Sequence, residues 1–104
     1  MTPNEEPVYF SLSLSNALPP IRMRIYRRAD HHLIVEQSHF LKTSIQYLPY
    51  AVREMEGDDP GAAFQELTAI LRGFYEQALR RGYTPSAAWL VPNTSYKDEV
   101  EKSA

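Results

Sequence analysis

The sequence predicts an α+β fold, in which a three- or four-stranded antiparallel sheet is followed by two C-terminal α-helices packed on one face. Three observations support this prediction. Apolar and polar residues alternate in the first third of the chain, which is typical of half-buried strands. Apolar residues recur at steps of three and four in the second half, which is typical of amphipathic helices. Turn-forming segments rich in Pro, Gly, Asn and Asp separate these runs.

Two alternating segments, 8–15 and 21–28, predict an antiparallel hairpin. The intervening segment 16–20 reads NALPP, and two consecutive prolines cannot continue a strand ladder. A third apolar run, 32–37, predicts the third strand. In the first segment Tyr9 shares a face with three serines. In the second segment one face carries Ile21, Met23 and Ile25, and the other carries Arg22, Arg24, Tyr26 and Arg28.

Residues 38–57 fit two structures. Apolar residues recur there at helical spacing, with Ser38 as a cap and Gly57 as a stop. Pro49 removes a backbone donor in the middle, so such a helix is expected to be kinked. The alternation within 41–48 also fits a strand that ends at the proline. We expect the kinked helix and keep the strand as the alternative.

Residues 60–81 give the clearest helix prediction. Asp59 followed by Pro60 is a typical helix start, since the carboxylate caps free amides and proline suits the first turn. Two arginines and then Gly82 form a typical helix end. Gly73 lies in the middle, where it costs about 1 kcal/mol relative to alanine. We therefore expect another element to approach the helix at this glycine.

The domain organisation is expected to be simple. A chain of 104 residues fits one domain. We assign this domain to 7–92, with a disordered N-terminus at 1–6 and a flexible polar tail at 93–104. At the end of the domain, 84–93 fits either one helical turn or a short edge strand. No apolar run is long enough for a signal peptide or a membrane span, and cysteine is absent, so we expect a soluble, cytoplasmic protein.

The residue inventory leaves little room for catalysis. Without cysteine there are no disulfides, thiolate zinc sites, iron–sulfur clusters or thiol nucleophiles. Four glycines in total are too few for the glycine-rich loops that bind phosphates. His31 and His32 are adjacent, so on a strand they point to opposite faces and cannot readily share a metal. We expect no enzyme activity, no catalytic residues, no metal and no cofactor.

The strand 21–28 is the main candidate binding surface. Arg22, Arg24, Tyr26 and Arg28, with Tyr9 beside them, form a basic and aromatic sheet face. Such faces bind proteins, acidic ligands or single-stranded nucleic acid. The same pattern also describes a solvated strand whose arginines discourage aggregation. The net charge of −2 provides no general attraction to nucleic acid.

We therefore expect a small non-catalytic interaction protein, such as an adaptor, an inhibitor or an assembly subunit. Its partner would be a protein, bound through the basic sheet face or an aromatic helix surface. The alternative is a small nucleic-acid-binding regulator that uses the arginine-rich strand.

The helix at 60–81 is apolar over a wider surface than a three-stranded sheet would cover. Ile70, Tyr75 and Trp89 are the candidates for self-association, and we expect a homodimer. A core wrapped by the preceding helix and the Trp89 segment is the alternative explanation.

Overall fold

A computed structural model of the chain describes residues 6–96. Strands β1, β2, β3 and β5 form the main antiparallel sheet in that order, and β4 pairs with β6 in a second, two-stranded antiparallel sheet. A 3₁₀ turn, Ala87–Trp89, precedes the last strand. The elements are β1 (Val8–Leu12), β2 (Ile21–Ala29), β3 (His32–Gln37), β4 (His39–Leu41), β5 (Glu54–Glu56), α1 (Pro60–Arg80) and β6 (Leu90–Pro92).

The predicted hairpin is confirmed. β1 and β2 pair antiparallel, and the register places Tyr9 opposite Arg24 and Ser11 opposite Arg22. The apolar set of β2 is buried, with at most 1% of each side chain exposed. Since side chains alternate along a strand, Arg22 and Arg24 must lie on the opposite face. The sheet therefore has an apolar inner face and a polar outer face.

Helix α1 covers the inner face. Leu67 and Leu71 are buried in the same core as the apolar residues of β2 and β3. The rings of Phe10, on the inner face of β1, and Phe64 stack with their centroids 4.4 Å apart. The outer face is left without a packed helix in residues 6–96, because these residues contain a single α-helix.

The start and the end of α1 are as predicted. Asp59 caps the helix, and its Oδ1 accepts a hydrogen bond of 2.9 Å from the backbone N–H of Gly61. Gly82 follows the last turn with φ of 92°, a conformation that favours glycine. The expected close approach at Gly73 is wrong. A Cβ built on this residue meets nothing within 4 Å.

The prediction of two C-terminal helices is wrong, because residues 38–57 contain no α-helix. This segment forms β4, a turn and β5 instead. The Gln46 side chain stabilises the turn by accepting hydrogen bonds from the backbone and hydroxyl of Thr43 and by donating to the carbonyl of Leu41. After Pro49 the chain returns to β4 through a bridge between Leu41 and Tyr50. The turn is thus held by hydrogen bonds of the Gln46 side chain. A helix in this segment would have lost a backbone hydrogen bond at Pro49.

Candidate binding face of the main sheet

The outer face of the main sheet brings the predicted binding residues together. β2 runs between β1 and β3 and presents Arg22, Arg24 and Tyr26 in a row. Tyr9 lies beside this row and is 38% exposed. We call these four residues, together with Arg28 at the end of the row, the basic face.

Arg24 is held at the centre of the basic face by three neighbours. Its guanidinium forms an ion pair with Glu36 on β3 and lies over the ring of Tyr26, with Cζ 5.1 Å from the ring centroid. Partial burial lowers the pKa of Arg24, but hydrogen bonds to Glu36 and Tyr9 outweigh it and raise the pKa overall. The arginine is therefore charged, ordered and partly neutralised by one carboxylate.

The other arginines of β2 occupy different environments. Arg22 is exposed, and its backbone N–H donates to the Ser38 hydroxyl over 2.8 Å. Arg27 pairs with Asp58 at 3.5 Å, away from the row. A β-bulge follows at the end of the strand, and Arg28 there is exposed. The four arginines of β2 therefore do not form one cluster. Arg22, Arg24 and Arg28 belong to the row on the outer face, whereas Arg27 pairs with Asp58 outside it.

A pocket of about 360 Å³ lies next to the basic face, over β3. The sequence does not predict it, because its walls come from four separated parts of the chain. These are Arg28 near the end of β2, residues 34–40 of β3 and β4, residues 52–54 at the start of β5, and residues 93–96 after β6. The side chains that matter most are Arg28, Ile34, Phe40, Val52, Arg53 and Tyr96.

The residues after β6 fold back onto the main sheet. Asn93 donates from its backbone N–H to the carbonyl of Ser38 at 2.9 Å and from its side-chain amide to the carbonyl of Gln37 at 2.8 Å. These bonds fix one wall of the pocket. Asn93 is the first residue of the segment 93–104, for which we expect a flexible polar tail. Residues 97–104, like residues 1–5 at the other end, lie outside the described residues.

Tyr96 lines the pocket and lies close enough to Arg22 of the basic face to interact with its charge. Burial raises the pKa of its phenol, and the nearby Arg22 opposes this effect. Its hydroxyl is buried and has no hydrogen-bond partner. A buried, unsatisfied hydroxyl costs about 1–3 kcal/mol, so a hydrogen-bond partner at this atom would stabilise the structure.

The three residues predicted for self-association, Ile70, Tyr75 and Trp89, differ in how far they are buried. Tyr75 and Trp89 are buried and pack edge to face, with ring centroids 6.1 Å apart. The indole N–H of Trp89 donates to the Ser44 hydroxyl over 3.2 Å. Ile70 is partly buried on α1. Tyr75 and Trp89 therefore contribute to the core of the chain. This agrees with the part of the alternative explanation in which the Trp89 segment covers the core.

Two of the three histidines, His31 and His32, pair with separate carboxylates, and His39 Nδ1 lies 2.9 Å from the Ser38 hydroxyl. His31 Nδ1 lies 2.7 Å from Asp58, and His32 Nε2 lies 2.9 Å from Glu54. Within residues 6–96 no group of three or more His, Asp or Glu side chains is placed to hold a metal ion. The same residues include no helix that is both long enough and apolar enough to cross a membrane.

Comparison of the chain with models of known protein families, with curated proteins and with solved structures gives no match in any of the three.

Proposed function

We propose that the chain is a small non-catalytic interaction protein that binds an acidic segment of a protein partner through the basic face. One observation supports this most strongly. Arg22, Arg24, Tyr26 and Tyr9 lie together on a sheet surface, and in the described part of the chain no helix packs on it. Arginine and tyrosine are enriched at protein interfaces, where they combine contact area with hydrogen bonding.

A protein partner fits this surface better than a nucleic acid does. Glu36 and Glu54 share the outer face with the arginines, and the charge of Arg24 is already shared with Glu36. A phosphate backbone would meet these carboxylates as well as the arginines, whereas a folded or extended protein can place its own charges to match both. The nucleic-acid-binding regulator remains the alternative.

The protein partner is tested with two matched variants. Arg22→Glu reverses one exposed charge on the basic face, and Arg80→Glu makes the same change on the last turn of α1. Each is immobilised beside the wild type in extract of the source cells, and captured proteins are quantified by mass spectrometry. We expect at least one protein to be captured by the wild type and by Arg80→Glu but not by Arg22→Glu. Equal capture by both variants would refute the assignment of the basic face.

The nucleic-acid alternative has its own test. If the wild type shifts single-stranded or duplex nucleic acid in a gel, and the shift weakens steeply with salt, the alternative is supported. It also requires that the Arg22→Ala/Arg24→Ala double variant lose the shift. Absence of a shift at low salt removes the alternative and leaves the protein partner.

Self-association and a cytoplasmic location are kept as parts of the proposal. Because Tyr75 and Trp89 are buried, a homodimer would use other apolar side chains. Tyr47 and Leu48, in the turn after β4, are 92% and 68% exposed and are the best candidates. A monomeric mass by light scattering at high micromolar concentration would exclude the dimer.

The absence of cysteine fits a reducing cytoplasm.

A further inference from the structure

We propose that the pocket over β3 binds a small organic anion with an apolar body, whose carboxylate or phosphate group lies between Arg28 and Arg53. This site shares Arg28 with the basic face, but the inference does not depend on the protein partner proposed above. It draws on the charges, the apolar lining and the unpaired Tyr96 hydroxyl of the pocket.

The charges around the pocket favour an anion. Two glutamates line it, but Glu36 is paired with Arg24 and Glu54 lies 2.9 Å from His32. Arg28 and Arg53 line it as well, and within residues 6–96 neither has a carboxylate at ion-pair distance. Two guanidinium groups are therefore available for an anionic group, and arginine binds carboxylates and phosphates through paired hydrogen bonds.

The lining also includes apolar side chains. Ile34, Phe40 and Val52 come from β3, β4 and the segment before β5. They are positioned to contact a hydrocarbon or aromatic portion of a ligand, which distinguishes this site from one for inorganic phosphate. The pocket volume of about 360 Å³ lies within the usual range of small-molecule sites, roughly 300–1,000 Å³.

One buried polar atom of a residue that lines the pocket has no partner. Tyr96 lines the pocket, and its hydroxyl is buried without a hydrogen-bond partner. Since more than nine in ten buried polar groups in proteins are satisfied, this orphan hydroxyl indicates a missing polar partner. A ligand with a polar group next to its apolar body would supply it.

The test uses the full chain labelled with ¹⁵N and three probes of defined chemistry. Octanoate carries a carboxylate, phenyl phosphate carries a phosphate, and octanamide matches the carbon chain of octanoate without its charge. We expect amide shifts that saturate with octanoate or phenyl phosphate and cluster in 34–37, 52–54 and 93–96. Octanamide should bind at least tenfold more weakly than octanoate. The anion that binds more tightly is the preferred probe for the variants below.

Variants then locate the anionic group. Arg53→Gln changes an exposed side chain and is expected to weaken binding of the preferred probe about tenfold, as loss of a charge-assisted hydrogen bond does. Arg72→Gln, an exposed arginine on α1 outside the pocket, should leave the affinity unchanged. Tyr96→Phe removes the orphan hydroxyl and should weaken binding a few-fold, while the spectrum of the free variant remains that of a folded protein.

Three results would overturn the inference. The first is the absence of saturating shifts in the three pocket segments with both anions up to about 10 mM, a concentration at which even weak sites fill. The second is binding of octanamide as tightly as octanoate. The third is an Arg53→Gln variant that binds the preferred probe as tightly as Arg72→Gln does.

Discussion

The guanidinium of Arg24 lies over the ring of Tyr26, with Cζ 5.1 Å from the ring centroid, and so joins the charge and the aromatic group of the basic face. Its ion pair with Glu36 orders the same side chain from the neighbouring strand. An arginine fixed in this way loses less conformational freedom when a partner binds. The relationship therefore connects the stability of the sheet to the proposed binding surface.

Arg24→Ala is expected to lower the free energy of unfolding by about 1 kcal/mol, more than Arg28→Ala does. The loss combines a partly buried ion pair with Glu36, discounted for solvent screening, with the cation–π contact to Tyr26. Arg28→Ala removes an exposed side chain and should change stability by about 0.5 kcal/mol or less. Urea unfolding of both variants checks this. Equal losses would mean that the contacts of Arg24 contribute nothing measurable.

Gly73→Ala is expected to stabilise the protein by about 0.5–1 kcal/mol. Alanine is the better helix former, and a Cβ at this exposed position meets nothing within 4 Å. A gain of this size raises the melting temperature by roughly 4 °C in a domain of about 100 residues. Thermal unfolding followed by circular dichroism measures it. A lower melting temperature would show that something does approach the helix there.

The tight turn between β2 and β3 gives a third prediction. His31 has φ of 57°, which is costly for a residue with a Cβ. His31→Ala and His31→Gly both remove the imidazole, so their difference reports the backbone alone. We expect the glycine variant to be more stable by about 0.5–1 kcal/mol, after allowance for the greater freedom of glycine in the unfolded chain. An alanine variant of equal or greater stability would contradict the left-handed conformation.

The carboxylate of Asp58 gives a prediction about pH. Desolvation raises its pKa, but hydrogen bonds from the backbone and side chain of His31 outweigh this, so the pKa is lower than in a free aspartate. A carboxyl with a depressed folded-state pKa stabilises the fold above its unfolded pKa, and this contribution is lost as pH falls through the folded pKa.

Asp58→Asn is the matched variant, since its side-chain oxygen can still accept from the His31 amide. We expect the wild type to exceed this variant in stability at about pH 6 and the difference to shrink between about pH 5 and pH 2. Urea unfolding across this range measures both proteins. Parallel pH profiles would show that the ionised carboxylate of Asp58 does not stabilise the fold.

Much of the strand and helix pattern could be predicted because it depends on local signals. The alternation in β2 fixed which residues face the core, and the pair Asp59 and Pro60 marked the start of α1. The error at 38–57 has a specific cause. Helical spacing of apolar residues there arises by chance in a turn, whose conformation is set by side-chain bonds of Gln46 that no periodicity reveals.

Of the two candidate sites, the basic face could be predicted from the sequence and the pocket could not. Tyr9 and Arg24 could be placed side by side from the sequence, since a hairpin brings alternating residues together. The pocket could not, because Arg53 and Tyr96 reach it from segments without any regular pattern. The burial of Trp89 was also invisible, because it depends on packing against Tyr75, which lies 14 residues earlier in the chain.

Photo-crosslinking in the source cells tests the basic face most directly. Tyr9→p-benzoylphenylalanine places a reactive group beside Arg24, and the same replacement at the exposed Glu66 of α1 is the control. We predict a discrete protein adduct from position 9 that disappears when Arg22→Glu is added, and no such adduct from position 66. An adduct from position 66 alone, or one from position 9 that persists with Arg22→Glu, would contradict binding through the basic face.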